Sequence, residues 1–224
     1  MSYGVRLHVW GPRACFTRPE LKAERVSYDV MTPSAARGVL EAIHWKPAIR
    51  WVVDRVHVLK PIRFQSFRRN EVGAKARVPS AAEIRDGDLS DLGIAVEDAR
   101  QQRATTLLVD ASYVIEAHFE RTARAADDDT EAKHLSMFNR RAESGQCFHR
   151  PCLGVREFAA DFALLPDGAP LPASELPPDQ RNRDLGLMLY DIDFARDGAS
   201  QFFRARLEDG ALDLRKARAA GLLS

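Results

Sequence analysis

The sequence predicts an α+β fold with a ferredoxin-like (RRM-type) N-terminal domain, residues 1–145, and a smaller β-rich C-terminal part, residues 146–224. Three observations lead to this prediction. Residues 3–10 alternate between apolar and polar side chains, which is typical of a half-buried strand. A capped amphipathic helix begins at Thr32, and a β-branched run follows it over residues 49–59. Beyond residue 145 the chain holds short β-prone runs separated by turn residues.

The first two predicted elements are the strand and the helix. Gly11-Pro12 is expected to end the strand, and residues 11–30 are expected to form a loop. Thr32 is a good N-cap, and Pro33 is tolerated at the first helical position because its missing N–H would be unpaired there. Pro47 marks the end of the helix. Its apolar stripe consists of Ala35, Ala36, Val39, Leu40 and Ile43.

The middle of the chain is predicted to hold further strands and a second helix. A strand follows Pro61, whereas residues 79–103 are polar and aperiodic, which favours a loop or a poorly ordered insertion. Residues 105–119 are strongly β-prone. Residues 130–143 fit a helix capped by Thr130. We expect its exposed side to carry Glu131, Lys133 and His134, and its buried side to carry Leu135, Met137 and Phe138.

The C-terminal part reads as a loop followed by short strands. Residues 166–178 are rich in proline and must form a loop. Residues 185–194 are predicted to form a strand. Asp209-Gly210 lies between the β-prone runs 202–207 and 211–214, which predicts a hairpin.

Composition excludes several classes of protein. Of the 224 residues, 45% are hydrophobic and 29% charged, as in an ordinary globular protein. No stretch is apolar enough for a membrane helix, and the N-terminus is too polar for a signal peptide, so we expect a cytoplasmic protein without a membrane partner. Cys147, His149 and Cys152 lack a matching second pair of ligands, so no metal and no cofactor is predicted. The three cysteines are expected to be buried free thiols.

The charges are unevenly distributed along the chain. Residues 1–80 hold 15 Lys and Arg against 6 Asp and Glu, whereas residues 81–135 hold 6 against 13. A basic first third is the electrostatic footprint of a polyanion partner such as nucleic acid. A merely solvated face would give the same counts.

One set of basic residues is a candidate for phosphate contact. Arginine pairs with phosphate through a planar fork, and neighbouring aromatic rings give bases a surface for stacking. An exposed strand end with ordinary charges is the alternative. The proposed RNA-binding residues are Arg13, Arg37, Arg63, Arg68, Arg69 and Lys75, with Phe64 and Phe67 interleaved.

Two histidines are candidates for acid–base chemistry. His44 and Lys46 follow the first helix, whose dipole favours a cation at that end. His118 shares one strand face with Glu116, and a carboxylate beside an imidazole suits a general acid or base, although the two also form a common surface pair. Metal-independent RNA cleavage needs a base for the 2′-hydroxyl, a cation for the phosphorane and an acid for the leaving oxygen. The sequence contains no P-loop, G-x-S-x-G, H-E-x-x-H or dinucleotide motif.

Several segments, in this order, resemble the Cas-five family of CRISPR-associated proteins, type I-C (Dvulg) branch. Each segment is moderately specific, and their order along nearly the whole chain is highly specific. They are residues 28–38 (YDVMTPSAARG), 41–49 (EAIHWKPAI), 68–71 (RRNE), 113–119 (YVIEAHF), 145–148 (GQCF), 151–158 (PCLGVREF) and 187–191 (LMLYD).

The resemblance implies an endonuclease that cleaves precursor CRISPR RNA and retains the 5′ handle beside the type I-C backbone and large subunits. It implies a catalytic Tyr, Lys and His. His44 occupies the Tyr slot and His118 the His slot, whereas Glu116 holds the same-face slot where the Lys is expected. The missing positive charge would then come from Lys46 or Arg37.

Three functional hypotheses follow. The first is a metal-independent ribonuclease that uses His44, His118 and Lys46 and leaves a 2′,3′-cyclic phosphate. The second is a non-catalytic scaffold that binds precursor and mature CRISPR RNA, and Glu116 favours it. The third adds binding of duplex DNA through the same basic face.

Overall fold

The computed structural model describes residues 4–21, 23–87 and 92–223 of the chain. It divides into two compact units, residues 1–65 with 106–224 and residues 66–105. None of the helices in the described ranges has the length and apolar character needed to cross a membrane. The strands are β1 (Gly4–Ala14), β2 (Ile49–Val58), β3 (Phe64–Val72), β4 (Arg100–Arg121), β5 (Asp161–Leu165), β6 (Arg183–Asp193), β7 (Ala199–Leu207) and β8 (Ala211–Asp213). The helices are α1 (Pro33–Ile43), α2 (Ala81–Asp86), α3 (Val96–Ala99), α4 (Glu131–Glu143), α5 (Pro178–Arg181) and α6 (Leu214–Ala220).

The larger unit is built on an antiparallel sheet. Its strands run in the order β5-β1-β4-β2-β8. β3, most of which belongs to the smaller unit, pairs with β4. Leu7, Ile115 and Val56 lie side by side in this register and are fully buried. The α+β class is therefore confirmed, and the ferredoxin-like topology stays a prediction. Since β5 and β8 follow residue 145, the sheet contains strands from both sides of the predicted domain boundary, which also stays a prediction.

α1 begins as its sequence predicts and ends at Ile43, a few residues before Pro47. The Oγ1 atom of Thr32 accepts a hydrogen bond from the N–H of Ala35 at 3.3 Å, and Pro33 occupies the first turn. Ala36, Val39, Leu40 and Ile43 are fully buried, where the helix packs against β2 and β6. The buried stripe thus places α1 on one face of the sheet, and α1 does not cover the opposite face of the sheet.

α4 confirms its predicted cap and corrects one predicted exposure. The Oγ1 atom of Thr130 accepts from the N–H of Lys133 at 3.2 Å. His134, expected on the exposed side, is only 1% exposed. It precedes buried Phe138 by four residues and therefore shares its face. Its ring packs edge-on against Phe119 of β4.

The predicted end of β1 at Gly11-Pro12 is wrong. The strand continues to Ala14, which pairs with Leu108 of β4. β5 pairs with β1 only as far as Trp10, so Pro12 lies on a free edge of the strand. Proline is tolerated at such an edge because no ladder bond needs its missing N–H.

The smaller unit corrects the prediction of a structureless segment over residues 79–103. α2 begins with a complete capping box, in which Ser80 and Glu83 bond each other's backbone N–H groups. α3 and the start of β4 complete the described part of this segment, whereas residues 88–91 lie outside the described residues. The Ser-x-x-Glu spacing is a signal for the start of a helix, but the prediction relied on apolar periodicity, which this polar segment lacks.

The predicted hairpin at Asp209-Gly210 is half right. Both residues have positive φ, and two hydrogen bonds between the backbones of Glu208 and Ala211 close the turn. β8 nevertheless pairs with β2, and β7 pairs with β6. The turn is thus local, but the two strands that leave it join different sheets.

The expectation of three buried thiols is also corrected. Cys15 is buried, whereas Cys147 and Cys152 are half-buried. All three are free, and burial raises the pKa of the Cys152 thiol, so its thiolate form is disfavoured.

Candidate active site

The sheet has one apolar face, covered by α1, and one polar face. Alternation along β4 puts Glu116 and His118 on the polar face, as the sequence predicts, because their neighbours Ile115 and Ala117 are buried in the core. Residues of β1 and β2 on the same face extend this surface on both sides. In the β1–β4–β2 register the polar face includes Arg6, His8, Arg55, His57, Glu116 and His118.

Glu116 is paired with cationic and hydrogen-bonding neighbours, but not with His118. Its Oε1 atom lies 3.0 Å from Nε2 of His57, and its Oε2 atom lies 3.8 Å from Nη1 of Arg55. The hydrogen bond from His57, followed by the positive charges of Arg55 and Arg6, lowers the pKa of Glu116 against the opposing effect of burial. The carboxylate is therefore ionised and locally compensated.

His118 pairs instead with Asp54 of β2. Nδ1 of His118 lies 2.6 Å from Oδ2 of Asp54. The carboxylate reaches this position because β2 is irregular between Val53 and Arg55, and a bulge of this kind redirects a side chain. The His118 side chain is 35% exposed. Within the described residues no hydrogen bond engages its Nε2 atom, so this nitrogen is available to a substrate.

A third residue, Arg218 of α6, holds the carboxylate of Asp54. Its Nη2 atom donates to Oδ1 of Asp54 at 2.8 Å, and its Nη1 atom donates to the backbone oxygen of Val53 at 2.6 Å. The Tyr190 hydroxyl lies 3.4 Å from the same Nη1. The two carboxylate oxygens of Asp54 thus have different partners, an imidazole and a guanidinium. Such an arrangement fixes the orientation of the His118 ring.

A cavity of about 470 Å³ lies beside this cluster. Arg50, Tyr190 and Arg218 line it, together with the exposed ring of Phe194. The Arg50 side chain is 70% exposed and pairs with Glu120 at 2.6 Å. Neither Asp54 nor His118 lines the cavity, which adjoins their pair through Arg218 and Tyr190.

His44 lies in a different environment. Its ring is fully buried, with Nε2 3.1 Å from Nδ1 of His134. Burial, followed by the positive charges of Arg141, His134 and Lys46, lowers the pKa of His44 to about 4. The ring is therefore neutral at physiological pH.

The sheet separates the two predicted catalytic histidines. The Trp51 indole donates to the backbone oxygen of His44 at 2.8 Å and packs edge-on against Phe119. Phe119 follows His118 on β4, so the two side chains point to opposite faces. His44 thus lies on the helix-covered face and His118 on the polar face. Lys46 is exposed just beyond α1.

Two of the predicted RNA-binding arginines are engaged in ion pairs within the larger unit. Arg37 donates to Glu41 and to Asp191, each at 2.8 Å, and thereby ties α1 to β6. Arg63 lies 3.3 Å from Asp110 but remains more than half exposed. Arg37 therefore has a structural role but also lines the cavity described above, and the RNA-binding roles of Arg37 and Arg63 stay predictions.

The other predicted cations differ in their surroundings. In the larger unit Arg13 is exposed. In the smaller unit Arg69 pairs with Glu71 at 2.8 Å, and Arg68 and Lys75 are exposed. Their roles in RNA binding stay predictions.

Sequence reasoning missed Asp54, Arg218 and Tyr190. Asp54 interrupts the apolar run of β2, which was the one available signal for a special position. Arg218 lies 164 residues from Asp54, and no local pattern marks it. The fold and the site together define an α+β protein with an Asp–His pair and cations on the polar face of its sheet.

Comparison with known proteins identifies the family. A family model described as CRISPR-associated protein (Cas_Cas5) matches residues 4–215. The CRISPR pre-crRNA endoribonuclease Cas5d of Mannheimia succiniciproducens is 57% identical over 217 residues, 96% of each chain. The protein of the same name from Thermus thermophilus is 41% identical over 94% of this chain and 90% of its own. The chain therefore belongs to the Cas5 family of CRISPR-associated proteins, in its type I-C (Cas5d) branch.

Solved structures agree with the fold. A crystal structure titled as that of a CRISPR-associated protein superposes with a TM-score of 0.63 and 22% identity, over 95% of this chain and 91% of that chain. A functionally uncharacterised protein from Streptococcus mutans gives a TM-score of 0.64 at 21% identity, over 95% and 92%. These likenesses concern the fold alone.

Proposed function

We propose that this chain is a metal-independent endoribonuclease that cleaves precursor CRISPR RNA within the repeat and retains the 5′ handle. The observation that carries the proposal is the partly exposed His118 imidazole, oriented by Asp54 on the polar face of the sheet. The names of the two Cas5d relatives, both pre-crRNA endoribonucleases, support it. We further propose that the chain works in the cytoplasm with the backbone and large subunits of a type I-C surveillance complex.

The proposed reaction is an internal transesterification. The 2′-oxygen forms a bond to the adjacent phosphorus while the bond to the 5′-oxygen breaks, which leaves a 2′,3′-cyclic phosphate and a free 5′-hydroxyl. His118 transfers a proton through Nε2, either from the 2′-hydroxyl or to the leaving 5′-oxygen. Solvent in the open cavity completes the other proton transfer. Arg50 lines the cavity and is the cation that we assign to the developing phosphorane charge.

The assignment departs from the sequence hypothesis at His44. A buried neutral imidazole on the other face of the sheet does not reach a phosphate held beside His118. Lys46, which is exposed, stays a predicted phosphate ligand. Asp54 and Arg218 are positioning residues, since they act on the substrate through His118.

A second candidate function is a non-catalytic scaffold that binds precursor and mature CRISPR RNA. Glu116 favours it, because the family resemblance implies a Lys in this slot. The neighbours of Glu116 weaken this argument against the nuclease, since His57 and Arg55 compensate the charge of the carboxylate. Binding of duplex DNA through exposed cations is a further activity compatible with either function.

One assay separates the two candidates. The purified protein is incubated with its cognate repeat hairpin in excess EDTA, and the 3′ end of the product is analysed. We expect one discrete cut that ends in a 2′,3′-cyclic phosphate. Tight, salt-sensitive binding without a cut would establish the scaffold instead. A cut that requires added divalent metal would contradict the proposed mechanism.

A further inference from the structure

A second groove lies on the outer side of α1, away from the Asp54–His118 pair. It is formed by the exposed face of α1 and by the loop 148–156, and its volume is about 830 Å³. Because the opposite side of α1 packs on the sheet, the groove and the polar sheet face are separated by the core. The groove is lined by Ser34, Ala35, Gly38, Glu41, Ala42 and Trp45 of the α1 region and by Phe148, His149, Arg150, Pro151, Cys152, Gly154 and Arg156 of the loop.

The loop presents an aromatic ring on a fixed backbone. The N–H groups of Phe148 and His149 both donate to the backbone oxygen of Ala42, at 2.8 and 3.2 Å. Further along the loop, a Cβ atom on Gly154 would lie 1.9 Å from the backbone oxygen of Cys15, so this turn requires glycine. The Phe148 side chain is nevertheless 78% exposed. A well-anchored backbone thus holds a large apolar ring in solvent.

Gly38 opens the floor of the groove. Glycine in the interior of a helix is less stable than alanine. A Cβ atom at this position would meet nothing within 4 Å, so packing within the chain does not demand glycine here. The missing side chain leaves room for a flat ligand to approach the helix backbone at Gly38, and Trp45 and Phe148 line the same groove.

The charge of the groove favours an anionic ligand. Arg156 is exposed and makes no hydrogen bond or ion pair within the described ranges. Glu41, the acidic residue of the groove, is held by Arg37 at 2.8 Å. Trp45 is 53% exposed. Two exposed aromatic rings with a free guanidinium are the elements with which proteins bind single-stranded nucleic acid.

We propose that this groove is a second RNA subsite, which binds an unpaired nucleotide by stacking on Phe148 and Trp45 and by pairing its phosphate with Arg156. The proposal rests on the proposed RNA-binding function and extends it to single-stranded RNA outside the cleavage cavity. The groove and the cleavage cavity have different linings but both adjoin α1, since Pro33 and Arg37 of that helix line the cavity.

The test measures binding of a single-stranded RNA of roughly eight nucleotides. Stacking should quench tryptophan fluorescence, and Trp45→Phe should remove that quenching. We expect Phe148→Ala to weaken binding roughly tenfold, the loss of one stacked base. Arg156→Ala should reduce the slope of log affinity against log salt by about 0.7, the contribution of one phosphate. Leu187→Ala and Arg206→Ala, which remove exposed side chains of β6 and β7, are the matched controls and should bind as the parent does.

The outcomes distinguish this subsite from the proposed nuclease. Phe148→Ala should still cut a bare repeat hairpin at the parental rate. If the parent protein itself fails to cut the hairpin, that result contradicts the proposed nuclease activity and leaves the RNA subsite unaffected. Unchanged single-strand affinity in Phe148→Ala would overturn the subsite. If that variant binds RNA normally but fails to copurify with the other complex subunits, the groove contacts protein and the proposal is wrong.

Discussion

The two faces of one sheet place histidine in opposite situations. On the polar face, His118 pairs with the carboxylate of Asp54 and keeps a solvent-facing nitrogen. On the covered face, His44 pairs with another imidazole, His134, and lies near the guanidinium of Arg141. The first ring has an anionic partner and is partly exposed to solvent, whereas the second has no carboxylate partner and is fully buried.

In the proposed mechanism, position relative to the sheet, more than residue type, therefore decides which histidine can transfer protons. The sequence hypothesis used both rings because both occupy slots of the family motif. Only a ring that a phosphate can approach is able to act on the 2′-hydroxyl or the 5′-oxygen. The buried His44–His134 pair contributes to packing, and protonation of His44 is linked to the stability of the fold.

The sharpest test of the comparison is removal of the exposed ring. We expect His118→Ala to reduce the cleavage rate constant on the order of 10³-fold, because proton transfer by a positioned side chain is lost. Single-turnover cleavage of the repeat hairpin measures this. His8→Ala, on the same face but hydrogen-bonded to Ser112, is the control and should cut normally. Normal cutting by His118→Ala would disprove the assignment.

Removal of the buried ring should change stability with pH. The pKa of His44 is lowered to about 4 in the folded chain, against 6.5 for the free group. The folded form therefore stays neutral while the unfolded form binds a proton below pH 6.5, and stability falls as pH drops toward 4. The difference corresponds to about 3 kcal/mol of unfolding free energy.

Urea unfolding of the parent and of His44→Gln at neutral and acidic pH measures this effect. We expect the loss of stability on acidification to be smaller in the variant, since its amide does not titrate. His149→Gln, which changes an exposed loop histidine, should retain the parental loss. Equal losses in the parent and in His44→Gln would show that another group controls acid unfolding.

The orienting carboxylate should matter less than the ring that it orients. We expect Asp54→Asn to slow cleavage on the order of 10²-fold, below the roughly 10⁴-fold known for the buried carboxylate of a serine protease, because the His118 ring keeps its solvent contact. The effect should fall on the rate constant, with RNA affinity nearly unchanged. Asp54→Glu should restore part of the rate. A loss of affinity equal to the loss of rate would mean that Asp54 supports the fold of the site only.

Local signals explain how much of this fold could be predicted from sequence. Thr32-Pro33 and Thr130 start helices where their side chains cap the first turn, and alternation places Glu116 and His118 on the polar face. Each of these features depends on residues a few positions apart. The capping box at Ser80 was equally local but lay in a segment without apolar periodicity.

Long-range contacts explain what could not be predicted. His44 is buried because α4, 90 residues later, brings His134 over it. Asp54 contacts His118, which is 64 residues away in the sequence, because of a bulge in β2 that the sequence of this strand does not predict. Arg218 is recruited from the last helix. The candidate site therefore depends on sheet register and on helix packing, which short motifs do not encode.

The smallest expected effect concerns Glu116, and it decides between nuclease and scaffold. If compensation by His57 and Arg55 is complete, Glu116→Gln should change the cleavage rate only a few-fold, since the amide oxygen still accepts the His57 hydrogen bond. Single-turnover rates at two salt concentrations measure this, with the exposed Glu143→Gln as the control for a lost negative charge. A large gain in rate that disappears at high salt would mean that the carboxylate repels the scissile phosphate. The parent would then be a weak nuclease, and RNA retention would be its main role.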